Sequence, residues 1–315
     1  MTTAELSTFI KDQALKLGFD ACGIAKAAPI PESEKAHFRS WIEGKGHAEM
    51  QYMEQHSEKR FDPRLLVEGC RSVIVVALNY EPAIKQDPEA PAIAGFAYGK
   101  DYHGLIRAKL KSLLQTINNT GQTVHGRAFA DSAPIAERFW AGQAGLGWIG
   151  KNRHLILPGK GSCFLLGELL VDIDLDGDTP ASNRCGQCRR CLEACPSNAL
   201  NETSGLDANR CLSYLTIEKR GPFNAMEASS VGENNCLFGC DRCQEVCPWN
   251  RFSKGNTCPE LQPKEGFLSM KRGDFEDLTE DDFNALFAES CLKRTGYDGF
   301  LRNMDAIKKS GSLYR

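Results

Sequence analysis

The sequence predicts an α+β fold in three parts: a mixed α/β domain over residues 1–180, a cysteine-rich domain over 181–252, and a short C-terminal helical segment over 253–315. Three observations carry this prediction. Helix-like and strand-like stretches alternate up to about residue 175. A polar turn cluster of Asp174, Asp176, Gly177, Asp178 and Pro180 then breaks the pattern. Beyond it the cysteines stand at ligand spacing.

In chain order, Thr2-Thr3-Ala4-Glu5 matches a capping box, and Leu6, Phe9, Ile10 and Leu17 recur at helical spacing until Gly18 stops the pattern. Further helices are expected over 32–43 and 102–117. The β-branched, apolar stretches 71–79, 124–130, 154–157 and 164–172 read as strands, and the apolar runs 72–78 and 164–171 as buried ones. No run approaches the ~20 residues of a membrane span, so no membrane partner is expected. A net charge of −3 gives no global attraction to nucleic acid, which must be met by a local basic surface. One candidate follows the acidic stretch 274–289: Lys293, Arg294, Arg302, Lys308, Lys309 and Arg315 stand against Asp298 and Asp305. On charge alone this is a solvated helix face.

The cysteine domain opens with Cys185, Cys188, Cys191 and Cys195, spaced C-x2-C-x2-C-x3-C and followed by Pro196. That is the bacterial-ferredoxin signature for a four-iron, four-sulfur (4Fe–4S) centre, in which three thiolates hold one cluster and the fourth crosses to a second. An imperfect copy follows at Cys240, Cys243 and Cys247 with Pro248. Two clusters are therefore expected, in a ferredoxin-like arrangement. Cys247 completes the set of Cys185, Cys188 and Cys191, while Cys195 joins Cys240 and Cys243. One ligand is missing, and either Cys211 or Cys236 can supply it; spacing does not decide between them. Structural zinc and disulfides are the alternatives. Fourteen cysteines bunched at ligand spacing, with no signal peptide, favour a reducing cytoplasm over disulfides.

Gly145-Leu146-Gly147-Trp148-Ile149-Gly150 is literally G-x-G-x-x-G, but a dinucleotide fingerprint needs a strand before it and a helix after it. Here residues 134–144 look helical and 154–157 look like strand, so the glycines are read as a tight turn or a close backbone approach to a large ligand. Asp101-Tyr102-His103-Gly104 departs from the D-x-H-x-x-G axial-histidine signature because Ile106 stands at its last position. His103 is then a packing or surface residue, and the scattered His37, His47 and His56 are structural. Asp131-Ser132-Ala133-Pro134 follows a strand and precedes a helix, which favours a helix cap. A general acid is the other reading of Asp131, and it needs a carboxyl whose pKa burial has raised.

Several segments together resemble one family. They are Glu58-Lys59-Arg60, Tyr98-Gly99-Lys100-Asp101-Tyr102-His103, Asp131-Ser132-Ala133-Pro134, Ala144 to Asn152, Arg210-Cys211-Leu212-Ser213-Tyr214-Leu215-Thr216, and Gly239 to Asn250. The family is epoxyqueuosine reductase, and the resemblance spans nearly the whole chain. It implies an oxidoreductase that uses cobalamin, fed by two 4Fe–4S clusters, to remove the epoxide oxygen of epoxyqueuosine in the tRNA anticodon loop, giving queuosine. It implies that the first domain binds cobalamin base-off without a histidine. By the same resemblance Cys211 is the missing ligand, which leaves Cys236 a free thiol. Asp131 is the proton donor, and Arg60, Asp131, Lys151 and Asp241 line the cofactor pocket. Some members continue into a helical-repeat extension; here RNA contact would fall on the basic tail, Lys219 and Arg220. The chain is expected to be a cytoplasmic monomer served by a low-potential electron donor the sequence does not identify. The competing readings are a reductive dehalogenase, which usually carries a twin-arginine export signal, and a non-catalytic iron–sulfur electron carrier.

Overall fold

The computed structural model describes residues 1–203 and 205–311. Thr2 Oγ1 accepts the Glu5 N–H at 3.2 Å and the Glu5 carboxylate accepts the Thr2 N–H at 2.7 Å, so the expected capping box starts α1, Thr3–Lys16. The chain continues through β1 (Ala21–Lys26), α2 (Glu32–Glu43), α3 (Ser57–Phe61), β2 (Ser72–Asn79), β3 (Ala92–Ile93), α4 (Tyr102–Asn118), β4 (Gly126–Phe129) and α5 (Glu137–Gln143). A hairpin of β5 (Trp148–Ile149) and β6 (Leu155–Ile156) leads to β7 (Phe164–Val171). The expected strands and helices are all present, most of them trimmed by one to three residues at their ends.

The main sheet runs β1-β2-β7-β4 and is antiparallel throughout. Its two central strands are buried on both faces, which is why they read as unbroken apolar runs. The two-residue period of β2 sends Ile74, Val76 and Leu78 to a core shared with α1 and α4, and Val73, Val75 and Ala77 to a second core shared with α5. On β7 the second face reads Leu166, Glu168, Leu170, so one carboxyl is set among apolar neighbours beneath α5.

Past an irregular segment come α6 (Arg190–Glu193), β8 (Leu200–Asn201), β9 (Gly205–Leu206), α7 (Leu212–Ile217), α8 (Ala225–Glu233), β10 (Cys236–Phe238) and α9 (Arg242–Glu245). The last part holds α10 (Arg272–Glu276), α11 (Glu280–Leu286) and α12 (Gly296–Gly311). β10 pairs in parallel with β3, and around this pairing a third core forms. It joins Ile93 and Ala97 to Leu237 and Phe238 and to Phe275, Phe283 and Phe300. The acidic stretch 274–289 is therefore the wet face of two short helices whose phenylalanines point inward. Among the described residues no helix is long and apolar enough to cross a membrane.

The basic tail is not the free cationic surface its composition suggested. Arg302 turns inward, donating to the carbonyls of Leu215, Lys219 and Gly221 at 2.7–3.1 Å and lying 4.2 Å from the Phe223 ring centroid. Arg294 makes a two-pronged pair with Glu218, Lys309 pairs with Asp305, and Lys308 stands 3.9 Å from Glu276. Lys219 is held by Glu49 and Glu227, and Arg220 donates to the carbonyls of Ile217 and Arg294. Arg315 lies outside the described residues. Beside Arg302, the fully buried Asn303 donates to the carbonyls of Thr216 and Leu237 at 2.9 Å each, fastening α12 to α7 and β10. Asn303→Ala strands two buried carbonyls and should cost about 2–4 kcal/mol, read as a fall of the thermal unfolding midpoint by several degrees. An unchanged midpoint would remove Asn303 from the fold's supports.

Candidate cluster sites and the adjoining cleft

Each cysteine run folds the same way: a short cysteine-bearing loop leads into a single helical turn, α6 with Cys191 or α9 with Cys243, and the two turns pack against each other. The thiols fall into two sets. Cys185, Cys188 and Cys247 lie close enough to Cys191 to oppose its ionisation, and burial and these neighbours together push its pKa up. Burial, then the charges of Cys240 and Cys211, push Cys243 well above the ordinary thiol value; Cys195 adds to this. Cys240 is pushed up to about 12 by burial, with Cys211 and Cys195 adding to it. Backbone amides are aimed at the sulfurs: Ala199 N–H meets Cys195 Sγ at 3.2 Å, and the amides of Ser213 and Tyr214 serve Cys211. Among the described residues no three such side chains stand close enough to hold a single metal ion, but thiols brought into one neighbourhood, with amide donors at Cys195, Cys211 and Cys247, suit a larger, multiply charged cationic core.

Cys236 also sits beside the second set, within charge reach of Cys240 and Cys211, but its thiol is engaged elsewhere. Strand β10 buries it, and its thiol donates to the Gly239 carbonyl at 2.7 Å. Cys211, at the start of α7, instead neighbours Cys195, Cys240 and Cys243.

The first domain is stitched to the cysteine region next to these sets. Gln244 donates to the Ser162 carbonyl at 2.9 Å and accepts from the Tyr80 hydroxyl at 3.0 Å. Trp148 of the glycine-rich segment stacks edge-on to Trp249, two residues after Cys247, with centroids 4.8 Å apart. The glycines of that segment serve a hairpin and no dinucleotide turn: a Cβ on Gly147 would stand 2.0 Å from the Ile156 carbonyl oxygen.

Asp131 does not cap a helix. α5 begins at Glu137, its cap position is Ala136, and no side chain caps it. Asp131 instead stands at φ +48°, a left-handed conformation uncommon outside glycine, with its N–H donated to Glu137 Oε1 at 2.6 Å. Its side chain is 60% exposed, and the exposed Arg138 and partly exposed His154 stand near it, so the loop opens onto a cleft lined by charged groups. Tyr102 donates to Asp131 Oδ2 at 2.7 Å, and His103 Nε2 stands 3.5 Å from the same oxygen. His103 Nδ1 faces Asp101 at 2.5 Å. Confinement alone would raise the Asp131 carboxyl, but the hydrogen bonds from His103 and Tyr102 and the charge of His103 outweigh it, so Asp131 is held below the usual carboxylate range. His103 is pushed up to about 9 by its bonds to Asp101 and Asp131. The expected raised aspartic acid is thus replaced by an ionised Asp131 whose neighbour, His103, keeps the proton.

Behind the loop stand two more carboxyls that the strand pattern alone did not mark as functional. Burial, then the charge of Asp131, raises Glu137 to about 7, and burial with the charge of Glu137 raises Glu168 well above its ordinary value. A lone glutamate within the apolar run Phe164–Val171 was the available signal.

The remaining expected pocket residues are spread apart. Arg60 donates to the Ile135 carbonyl at 3.4 Å, lies 5.4 Å from the Phe38 ring centroid, and keeps its buried Nε without a partner. It shares the electrostatic surroundings of Tyr52 with Asp131, Glu218 and Arg294, which places Arg294 near the cleft. Lys151 pairs with Glu202 at 2.7 Å, which also takes Arg189. Asp241, raised to about 6 by burial, accepts the Gly95 N–H at 2.7 Å.

The family model "Epoxyqueuosine reductase QueG, DUF1730" matches residues 60–132, and a "4Fe-4S double cluster binding domain" model matches 184–250. The chain is 43% identical to the epoxyqueuosine reductase of Cellulophaga algicola over 98% of its own length and 99% of the relative's. It is 37% identical to that of Escherichia coli over 95% of its length and 80% of the relative's. An epoxyqueuosine reductase crystallised with an epoxyqueuosine-modified tRNA-Tyr stem loop superposes with a TM-score of 0.84 at 28% identity, covering 96% of this chain and 80% of that one. The Bacillus subtilis enzyme, solved with a catalytic aspartate loop swung out of the active site, gives 0.83 at 27%, covering 96% and 81%. A double-cluster cysteine domain, a cleft built around an aspartate on a strained loop, and identity of this level over the full length have one reading: the chain belongs to the epoxyqueuosine reductase family.

Proposed function

We propose that this chain reduces epoxyqueuosine to queuosine in the anticodon loop of tRNA, with Asp131 as the group that passes a proton to the departing oxygen. The observation that carries the reading is Asp131 itself, presented on a cleft floor by Tyr102 and His103 in a chain that also groups eight thiols into two sets. Cys185, Cys188, Cys191 and Cys247 would hold one cluster, and Cys195, Cys211, Cys240 and Cys243 the other. Cobalamin would lie in the cleft, where the unpartnered Arg60 Nε suits the amide side chains of a corrin. When bound, the clusters and cobalamin supply low-potential electrons and a reduced metal able to open an epoxide carbon.

The chain's own residues manage protons and exclude alternatives. Removing an epoxide oxygen as water consumes two electrons and two protons. The alkoxide formed on opening is a strong base, so an acid within hydrogen-bond reach lowers the barrier. His103 holds a proton at Nε2 toward Asp131 Oδ2, with Asp101 fixing the ring through Nδ1. Asp131 then acts as the last carrier, and His103 as its store. Tyr102 fixes the rotamer of Asp131 from the N-terminal turn of α4. The RNA partner follows from the tRNA stem loop bound by the solved relative.

Three outcomes test this reading. Asp131→Asn keeps the shape and removes the carboxylate that relays the His103 proton, so turnover of epoxyqueuosine tRNA should fall by a factor on the order of 10²–10⁴ with iron and corrinoid contents near normal. Full single-turnover activity of that variant after chemical pre-reduction would reject Asp131. Turnover by the unmodified enzyme should decline as pH rises through about 9, where His103 gives up its proton, and His103→Gln should abolish that limb. A limb that persists in the variant assigns the titration elsewhere. Cys211→Ala should release about half of the iron, as one of two clusters is lost, whereas Cys236→Ala should release none; the reverse would exchange their roles.

A further inference from the structure

A groove of about 390 Å³ lies between α4 and the edge strand β4, immediately behind the Asp131 loop. Arg107, Lys111 and Leu114 form one stripe of α4 along its wall, Arg127 rises from β4, and the Ser132 hydroxyl closes the end nearest Asp131. No Asp or Glu lines it. Arg107 Nη1 donates to Ser132 Oγ at 2.9 Å, and Arg127 lies 4.9 Å from the Phe129 ring centroid. Asp101, the acid whose charge reaches Arg107, is already hydrogen bonded to His103. Three cations gathered in one concavity repel each other, and an anion seated among them offsets that repulsion. This contrasts with the basic tail, whose Arg294 and Lys309 are committed to carboxylates.

We propose that this groove is a phosphodiester-binding site that takes the backbone of single-stranded RNA flanking the nucleotide presented to Asp131. This rests on the tRNA reading above. The groove starts at Ser132, one residue from Asp131, and runs along α4 past Arg107 and Lys111 to Leu114, so a strand whose nucleotide reaches Asp131 has the groove beside it. Phosphates carry the affinity of such contacts, and each one neutralised releases counterions, making binding depend on salt. Arg107 joins the two sites, since the side chain that would meet a phosphate also holds the residue next to Asp131.

The test uses the holoenzyme and an anticodon stem-loop RNA carrying epoxyqueuosine, with the double variant Lys111→Gln and Arg127→Gln. Both Kd and KM for the RNA should rise about ten-fold, and the slope of log affinity against log salt should shrink by about 1.4, or about 0.7 for each lost phosphate contact. The kcat value and the iron and corrinoid contents should stay unchanged, and the double variant Lys111→Arg and Arg127→Lys should bind like the unmodified enzyme. Unchanged KM and salt slope would overturn the proposal. So would loss of corrinoid with RNA binding intact, because the groove would then serve the phosphodiester of the cofactor's nucleotide tail. A fall in kcat alone would likewise overturn it. Failure of the unmodified enzyme to process this RNA would instead refute the proposed function, which separates the two.

Discussion

The cleft depends on one short hydrogen bond, from the Asp131 N–H to Glu137. A non-glycine residue in the left-handed region costs on the order of 1–2 kcal/mol, and the loop keeps that conformation only while something holds it. The acceptor is a half-buried carboxylate at the first position of α5, and beneath it Glu168 stands on the central strand of the main sheet. Because Glu168 stays protonated, Glu137 has no second negative charge to repel it from the site. Arg60 adds a tether through the Ile135 carbonyl, a few residues along the same loop. The sheet, α5 and the Arg60 segment thus converge on the backbone of one residue and leave its side chain free to face the cleft.

The parts of this arrangement that follow from local sequence were legible, and those that follow from tertiary contact were not. Thr2 and Glu5 announced α1 because a capping box is complete within four residues. The buried strands Ser72–Asn79 and Phe164–Val171 were legible because burial on both faces leaves an unbroken apolar run. Spacing marked seven cysteine positions and left Cys211 and Cys236 as candidates for the eighth, and the hydrogen bond that engages Cys236 was not legible because it comes with the pairing of β10 and β3, residues far apart in sequence. Asp131 invited a helix cap because Ser132 and Pro134 follow it, yet the chain runs on to Glu137 before turning helical. His103 was weighed as a metal ligand and set aside. Its partner, Asp131, lies 28 residues further along and meets it only once α4 has packed on the sheet. The tail's charges read as a solvated helix face, and Arg294, Lys308 and Lys309 are exposed as that requires, but composition could not show that Arg302 turns inward onto carbonyls.

Neither cysteine run can complete a set alone. The first run supplies three thiols of one set and the second run two of the other, while Cys195 and Cys247 sit with the other run's thiols, so the sets come together only when α6 and α9 are packed against each other. The second set also needs α7, which carries Cys211. That helix is packed in a core of its own with Val231, Cys236 and Ala306, and it is clamped by α12.

The clamp has a consequence for how such a chain matures. Arg302 and Asn303 hold the carbonyls of Leu215 and Thr216, one turn beyond Cys211, from a helix made more than eighty residues later. A ribosome delivers the cysteine runs before α12, so in a nascent chain the Cys211 segment has its thiol but not its support. Iron delivered early would meet a set of four with one arm unfastened. Secure seating of the Cys211 segment therefore waits until α12 has been made and packed against α7.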